Sequence, residues 1–151
     1  MASFTGTYYY TLDPKGRTVI PAPLREILLS KYGSNKLYIT NSPLDKCLHI
    51  FPEAEWSLLE EKVRPLPSSD RAIQLYKRRV FSAAMPCETD KSGRIMVPYE
   101  LRQNAGIETD IVIVGLVDRL ELWDKQKWDD ITNPDNIDKE AFAIKLSEYG
   151  I

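Results

Sequence analysis

A chain of 151 residues with 43% hydrophobic side chains can bury a core of ordinary size, so composition excludes a disordered chain as the starting expectation. Its 20 Lys and Arg against 22 Asp and Glu leave a formal net charge of -2, which excludes a general polyanion binder driven by overall basicity, and any nucleic-acid contact must rest on local clusters. The longest apolar run, Ile111 to Val117, is far short of the roughly 20 residues of a membrane helix; the stretch Met1-Ala2-Ser3-Phe4-Thr5-Gly6-Thr7 lacks a signal peptide's basic and apolar sections, and a cytoplasmic protein is expected.

In chain order, Thr7 to Leu12 mixes aromatic, β-branched and polar residues in alternation, which predicts a half-buried strand. Asp13-Pro14-Lys15-Gly16-Arg17 then supplies turn chemistry. Asp13 can cap its own backbone two residues on, Pro14 fixes φ, and Gly16 can take positive φ. Thr18-Val19-Ile20 is the return strand of a hairpin, and Pro21 opens a short helix through Leu24-Arg25-Glu26-Ile27. Two further strands, Leu37 to Thr40 and Cys47 to Phe51, are joined by Asn41-Ser42-Pro43-Leu44-Asp45. Trp56, Leu59 and Val63 recur at helical spacing within Glu53 to Val63. Pro65-Leu66-Pro67-Ser68-Ser69 interrupts that pattern, and Asp70 to Phe81 resumes it with Ile73, Tyr76 and Val80 inward and Arg71, Lys77, Arg78 and Arg79 largely outward.

The chain then repeats itself. Asp90-Lys91-Ser92-Gly93-Arg94-Ile95-Met96-Val97-Pro98 restates Asp13 to Pro21, and Leu101-Arg102 restates Leu24-Arg25. Lys36 to Thr40 matches Asp110 to Val114, Leu48-His49-Ile50-Phe51 matches Leu120-Glu121-Leu122-Trp123, and Trp56 matches Trp128. The second copy has its own helix, opened by Pro98 and ended by Gly106, and strands Ile111 to Val114 and Arg119 to Trp123 around a tighter turn at Gly115 to Asp118. A helix from Asp124 to Ile131, a break at Asn133-Pro134 and a last helix from Asp138 to Glu148 complete the chain. The division is therefore unit 1 at 5–52, a helical linker at 53–82, unit 2 at 83–126 and a helical tail at 127–151. One β-β-helix-β-β unit of about 45 residues cannot bury a core unaided. The expected fold is mainly β with α (α+β), the two copies interleaved into one pseudo-two-fold, barrel-like core with peripheral helices.

Catalytic partners are scarce. His49 is the only histidine, on the strand face opposite Leu48 and Ile50, and reads as a satisfied strand histidine. Cys47 and Cys87 stand singly in apolar segments, as small buried hydrophobes. One His and two distant Cys cannot assemble a tetrahedral zinc site, so no metal and no cofactor are expected. Glu53, Glu55, Glu60 and Glu61 read as solvated helix charges, and no phosphate loop, nucleophile elbow or dinucleotide fingerprint is present; an enzyme is not expected. The duplicated turns are the unusual feature. As pure structure, Asp13 and Asp90 are turn caps that can pair with an arginine, and Gly16 and Gly93 are turn glycines. That reading leaves Lys15, Arg17, Lys91 and Arg94 unexplained, two cations per tip that suit phosphate or guanine edges. Pseudo-two-fold symmetry would set the tips side by side. On the residues alone, DNA contact, structural turns and another partner all stand.

Between Phe4 and Ile131 the chain resembles the MraZ family of bacterial regulators, which is built from two SpoVT/AbrB-like swapped-hairpin units. The resemblance rests on Leu12-Asp13-Pro14-Lys15-Gly16-Arg17, Cys87-Glu88-Thr89-Asp90-Lys91-Ser92-Gly93-Arg94, Pro98-Tyr99-Glu100-Leu101-Arg102-Gln103-Asn104-Ala105-Gly106-Ile107, and Leu120-Glu121-Leu122-Trp123 before Lys127-Trp128. It implies a cytoplasmic, nucleoid-associated repressor of its own division and cell-wall operon. It further implies binding to direct repeats in double-stranded DNA and assembly as a ring-shaped homo-oligomer, with no membrane or small-molecule substrate. The family's Asp-x-x-x-Arg surface would transfer to Lys15, Arg17, Lys91 and Arg94, supported by Asp13, Gly16, Asp90 and Gly93. Pro14 departs from a position where a small residue is more typical, and the chain after Asn133 lies beyond the resemblance. The alternative is an antitoxin-like interaction module, in which the tail Phe142-Ala143-Ile144-Lys145-Leu146 binds a partner.

Overall fold

Period-two alternation places strand side chains on two sheet faces, and both faces here are covered. The computed structural model describes residues 2–151. In chain order the strands are β1 (Thr7–Thr11), β2 (Arg17–Val19), β3 (Lys36–Asn41), β4 (Leu48–Pro52), β5 (Met85–Glu88), β6 (Arg94–Met96), β7 (Asp110–Leu116) and β8 (Arg119–Asp124). The helices are α1 (Ala22–Ile27), α2 (Glu53–Val63), α3 (Arg71–Tyr76), α4 (Tyr99–Ala105), α5 (Lys125–Thr132) and α6 (Lys139–Glu148). Leu28–Tyr32 and Lys77–Phe81 continue α1 and α3 as wider π turns. No helix among the described residues is long and apolar enough to cross a membrane.

The strands form a six-stranded antiparallel sheet in the order β1-β7-β8-β4-β3-β5 and a separate ribbon of β2 with β6. Every pairing outside the two hairpins β3–β4 and β7–β8 joins one copy to the other. β1 of the first copy pairs with β7 of the second, and β5 of the second with β3 of the first. The pseudo-two-fold axis runs through the like-placed pairs: Thr18 faces Ile95 in the ribbon, and His49 faces Glu121 between β4 and β8.

The α+β class and the interleaved repeat are as expected, with three corrections. The sheet is not closed into a barrel, since β1 and β5 remain its edges. Each return strand is only three residues long before its chain turns at Pro21 or Pro98 into a helix, too short to bridge those edges. Nor are the segments flanking each Asp-x-x-Gly turn paired as a hairpin: β1 joins the sheet and β2 the ribbon. As an edge strand β1 is mostly exposed rather than half-buried, with Tyr8 its inward-packed member.

One sheet face carries Leu37, Ile39, Leu48, Ile50, Ile111, Ile113, Leu120 and Leu122 into the main core, closed by Ile20, Ile95 and Val97 of the ribbon segments and by Leu24, Leu28, Leu101 and Ala105 of the short helices. On the opposite face Trp56 stacks on Tyr38 at 5.2 Å, and Trp128 meets Trp123 at 5.9 Å. The ribbon, α1 and α4 thus lie on one side of the sheet and α2 and α5 on the other.

Candidate nucleic-acid interface

Each tip is built around one carboxylate. Asp13 Oδ1 accepts the backbone N–H of Lys15 and of Arg17, both at 2.9 Å, and its Oδ2 accepts Arg17 Nε at 2.8 Å. Asp90 repeats the arrangement with Ser92 N at 2.8 Å, Arg94 N at 2.9 Å and Arg94 Nε at 3.1 Å. The backbone N–H of Arg17 chiefly holds the Asp13 carboxyl below its ordinary range, helped by the Arg17 side chain; Arg94 does the same to Asp90. The structural reading of the motif, a capped turn with a paired arginine, therefore holds. The aspartate caps the turn and grips the arginine through Nε, and the two terminal nitrogens of each partly exposed guanidinium make no hydrogen bond among the described residues.

Antiparallel pairing fixes where the tips lie. Val97 N donates to Gly16 O at 2.7 Å and Ile20 N to Gly93 O at 2.8 Å, so the tips sit at opposite ends of the ribbon rather than side by side. From Gly16 to Ile20 is four residues of extended chain, roughly 14 Å at about 3.4 Å each. The copies also place lysine differently. Lys15 is the residue before the turn glycine, whereas Ser92 takes that place in the second copy and Lys91 stands one residue earlier, where the first has Pro14. Both lysines are exposed and both arginines partly so.

Two cations that sequence reasoning left as helix residues complete the face. A Cβ on Gly16, whose φ is 84°, would lie 2.9 Å from the Arg102 guanidinium; one on Gly93, at φ 78°, would lie 2.0 Å from Arg25 Nη1. Arg25 and Arg102 occupy matching repeat positions, and each covers the tip of the opposite copy. Arg102 Nε donates to Val97 O at 3.1 Å, while Arg25 Nε is buried without a partner. The signal that could have found them was the Leu24-Arg25 and Leu101-Arg102 match, where only leucine is needed for packing. Each ribbon end thus gathers three cations, Lys15, Arg17 and Arg102 at one and Lys91, Arg94 and Arg25 at the other.

The remaining candidates lie across the sheet. His49 Nε2 is 3.0 Å from Glu121 Oε2, and Trp123 Nε1 donates to Glu121 Oε1 at 2.8 Å, so the histidine is satisfied as expected. Burial pushes the Glu121 carboxyl up, but the His49 and Trp123 hydrogen bonds outweigh it and the net direction is down. Cys47 is buried beside this pair, its thiol pushed up to about 12 by burial and then by Glu121, and Cys87 is pushed to about 11 by burial. Thiols so placed stay protonated at neutral pH and are poor nucleophiles.

Comparison with known proteins follows the same two-copy division. The family described as "MraZ protein, putative antitoxin-like" matches residues 3–79 and again 80–145. The chain is 39% identical over 148 residues to the transcriptional regulator MraZ of Acetivibrio thermocellus, covering 98% of this chain and 99% of that protein. It is 42% identical over 148 residues to that of Clostridium beijerinckii, with the same coverage, and 38% identical over 148 residues to that of Heliobacterium modesticaldum, again at 98% and 99%.

Proposed function

From a chain that belongs to the MraZ family, we propose a transcription regulator that binds double-stranded DNA through the two ends of the β2–β6 ribbon and performs no catalysis. The observation that carries the reading is the pair of Asp-gripped arginines, Arg17 and Arg94, both partly exposed and related by the pseudo-two-fold axis across one ribbon. The turn glycines at the two ribbon ends, Gly16 and Gly93, are offset by four ladder positions, roughly 14 Å, close to the roughly 12 Å width of a B-form major groove. A fork with both terminal nitrogens available suits a phosphate or the O6 and N7 edge of guanine. Lys15 and Lys91 add phosphate contacts, Arg25 and Arg102 reinforce the tips, and Asp13, Gly16, Asp90 and Gly93 hold their shape. β-ribbon readers of the major groove use this kind of element.

The further assignments rest on the family resemblance: repression of its own operon, direct repeats as target, a ring of subunits, units at 5–52 and 83–126, and residence on the nucleoid. A ring reconciles a net charge of -2 with DNA binding, because copies presenting the same tips along one face link weak contacts into a strong one. A second reading, an antitoxin-like interaction module, draws on α6, where Phe142 is 54% and Ile144 58% exposed.

The test is binding of wild type, Arg17→Ala and Arg94→Ala to DNA from upstream of the protein's own gene across a salt series. Each substitution should weaken binding by about 1–3 kcal/mol, and log K should fall against log salt by about 0.9 for each phosphate neutralised. Salt-insensitive binding, or binding unchanged by both substitutions with the oligomer intact, would move the interaction-module reading to the front.

A further inference from the structure

The side of the sheet away from the ribbon holds a second cluster of chemistry-bearing groups. Cys47 closes the bend just before β4, His49 lies within β4, and Glu121 stands opposite His49 in the β4–β8 register. The Cys47 sulfur, a His49 ring nitrogen and a Glu121 carboxylate oxygen all lie within 4.8 Å of one another, and all three residues are buried. We propose that Cys47, His49 and Glu121 form a binding site for one zinc-class divalent cation on the pseudo-two-fold axis, riveting the two halves of the molecule.

Donor chemistry selects the class of metal. A sulfur with an imidazole and a carboxylate suits zinc, whereas Mg²⁺ and Ca²⁺ take oxygen alone. Three protein ligands leave a fourth tetrahedral position, and His49 lines a cleft of about 300 Å³ with Phe51, Glu55, Tyr76 and Arg119, from which a water can complete the shell. Bonds of about 2.0–2.1 Å to nitrogen and oxygen set those ligand atoms roughly 3.3 Å apart. The His49–Glu121 contact, 3.0 Å, therefore has to open by only a few tenths of an ångström. The carboxylate is oriented from behind by Trp123 Nε1 at 2.8 Å and Arg119 Nη2 at 3.4 Å, as ligating carboxylates are.

Charge and protons balance. The cation displaces the Cys47 thiol proton to solvent and a sulfur–metal bond forms; the His49 proton that Nε2 directs at Glu121 shifts to Nδ1 through the other neutral tautomer, freeing Nε2 to ligate, and no electron moves. Two anionic ligands against a dication give a neutral unit beside Val112, Val114 and Trp123, where a net charge would be costly. The copies have diverged at these very places: Arg119 stands where the first copy has Cys47, and Glu121 where it has His49. Neither half alone holds the set.

The test uses the full-length chain, free of any affinity tag, loaded with Zn²⁺ and passed into metal-free buffer, with zinc per chain read by atomic emission and Co²⁺ substitution read by absorbance. One zinc per chain is expected, with a thiolate-to-cobalt charge-transfer band that Cys47→Ser removes and Cys87→Ser leaves unchanged; Cys47→Ser should weaken zinc at least tenfold. In the wild type, chelation should abolish the cobalt–sulfur band and re-addition of Co²⁺ should restore it, a readout independent of how the variants fold. Zinc at background in the wild type, cobalt bound without the sulfur band, or zinc retained by Cys47→Ser would each overturn the site.

Discussion

Arg17 and Arg94 are aimed by aspartates of opposite charge, which separates geometry from electrostatics in a testable way. Asp13→Asn raises the net charge by one, and a simple charge argument predicts tighter DNA binding. The structure predicts the reverse, because an amide grips Arg17 Nε less well than the carboxylate at 2.8 Å and the fork loses its direction. Affinity should fall by about 1 kcal/mol, roughly fivefold, in a fluorescence anisotropy titration. The pH behaviour of the tips follows from the same bonds. The Asp13 and Asp90 carboxyls lie below their unfolded values in the folded protein, so their contribution is complete above about pH 4 and lost only as pH falls through the lowered values. Cys47 has the opposite sign. Its folded value of about 12 lies above the ordinary 9.0, so its contribution is complete below pH 9 and is lost as pH rises toward 12. In metal-free protein the urea midpoint should accordingly fall between pH 8 and pH 10.5, and Cys47→Ser should flatten that fall.

At the scale of elements, Gly93 is where turn and helix meet most closely. Gly93→Ala must accept a φ of 78° and displace the flexible end of Arg25, whereas at Gly16 a Cβ would meet the Val97 backbone oxygen as well as Arg102, both at 2.9 Å. Left-handed backbone costs a non-glycine residue about 1–2 kcal/mol before any displacement. The chemical-denaturation midpoint should drop for both variants and further for Gly16→Ala, whose Cβ meets backbone, whereas Gly93→Ala should show its larger effect on DNA affinity through the displaced Arg25. Most of the elements were legible in the sequence because their signals are local: alternation in Ile111 to Val114, helical spacing in Trp56 and Val63, and proline at Pro21 and Pro98. Which strand pairs with which was not legible, since β1 with β7 and β5 with β3 are choices of a folded whole that no neighbouring residue encodes. The site divides the same way. Asp13, Arg17, Asp90 and Arg94 were read from one contiguous motif, whereas Arg25 and Arg102 reach the tips only because the copies cross over. The Cys47, His49 and Glu121 cluster was missed for a like reason: the sequence reading counted histidines and cysteines, and its third member comes from the other copy.

For the molecule as a whole, crossing strands make each half dependent on the other, and the axis pairs decide which partner is preferred. Fragments 1–82 and 83–151 would each leave β-strands without their ladder partners, so neither should fold as a monomer. Pairing like with like would restore the ladders but would set His49 against a second His49, or Glu121 against a second Glu121, at the buried axis. Two carboxylates so placed cannot both ionise without several kcal/mol of cost, whereas the natural pair is complementary at 3.0 Å. Mixing the fragments should therefore give a one-to-one heterodimer with the circular dichroism of the intact chain, as sedimentation equilibrium and spectroscopy can check. Any homodimer of 83–151 should gain stability as pH falls, because a facing carboxylate raised above its unfolded value is protonated first in the folded state. Glu121→Gln should relieve that repulsion at neutral pH. If the 83–151 homodimer instead proved as stable at pH 7 as the mixed pair, the His49–Glu121 contact would not be what makes the two copies prefer each other.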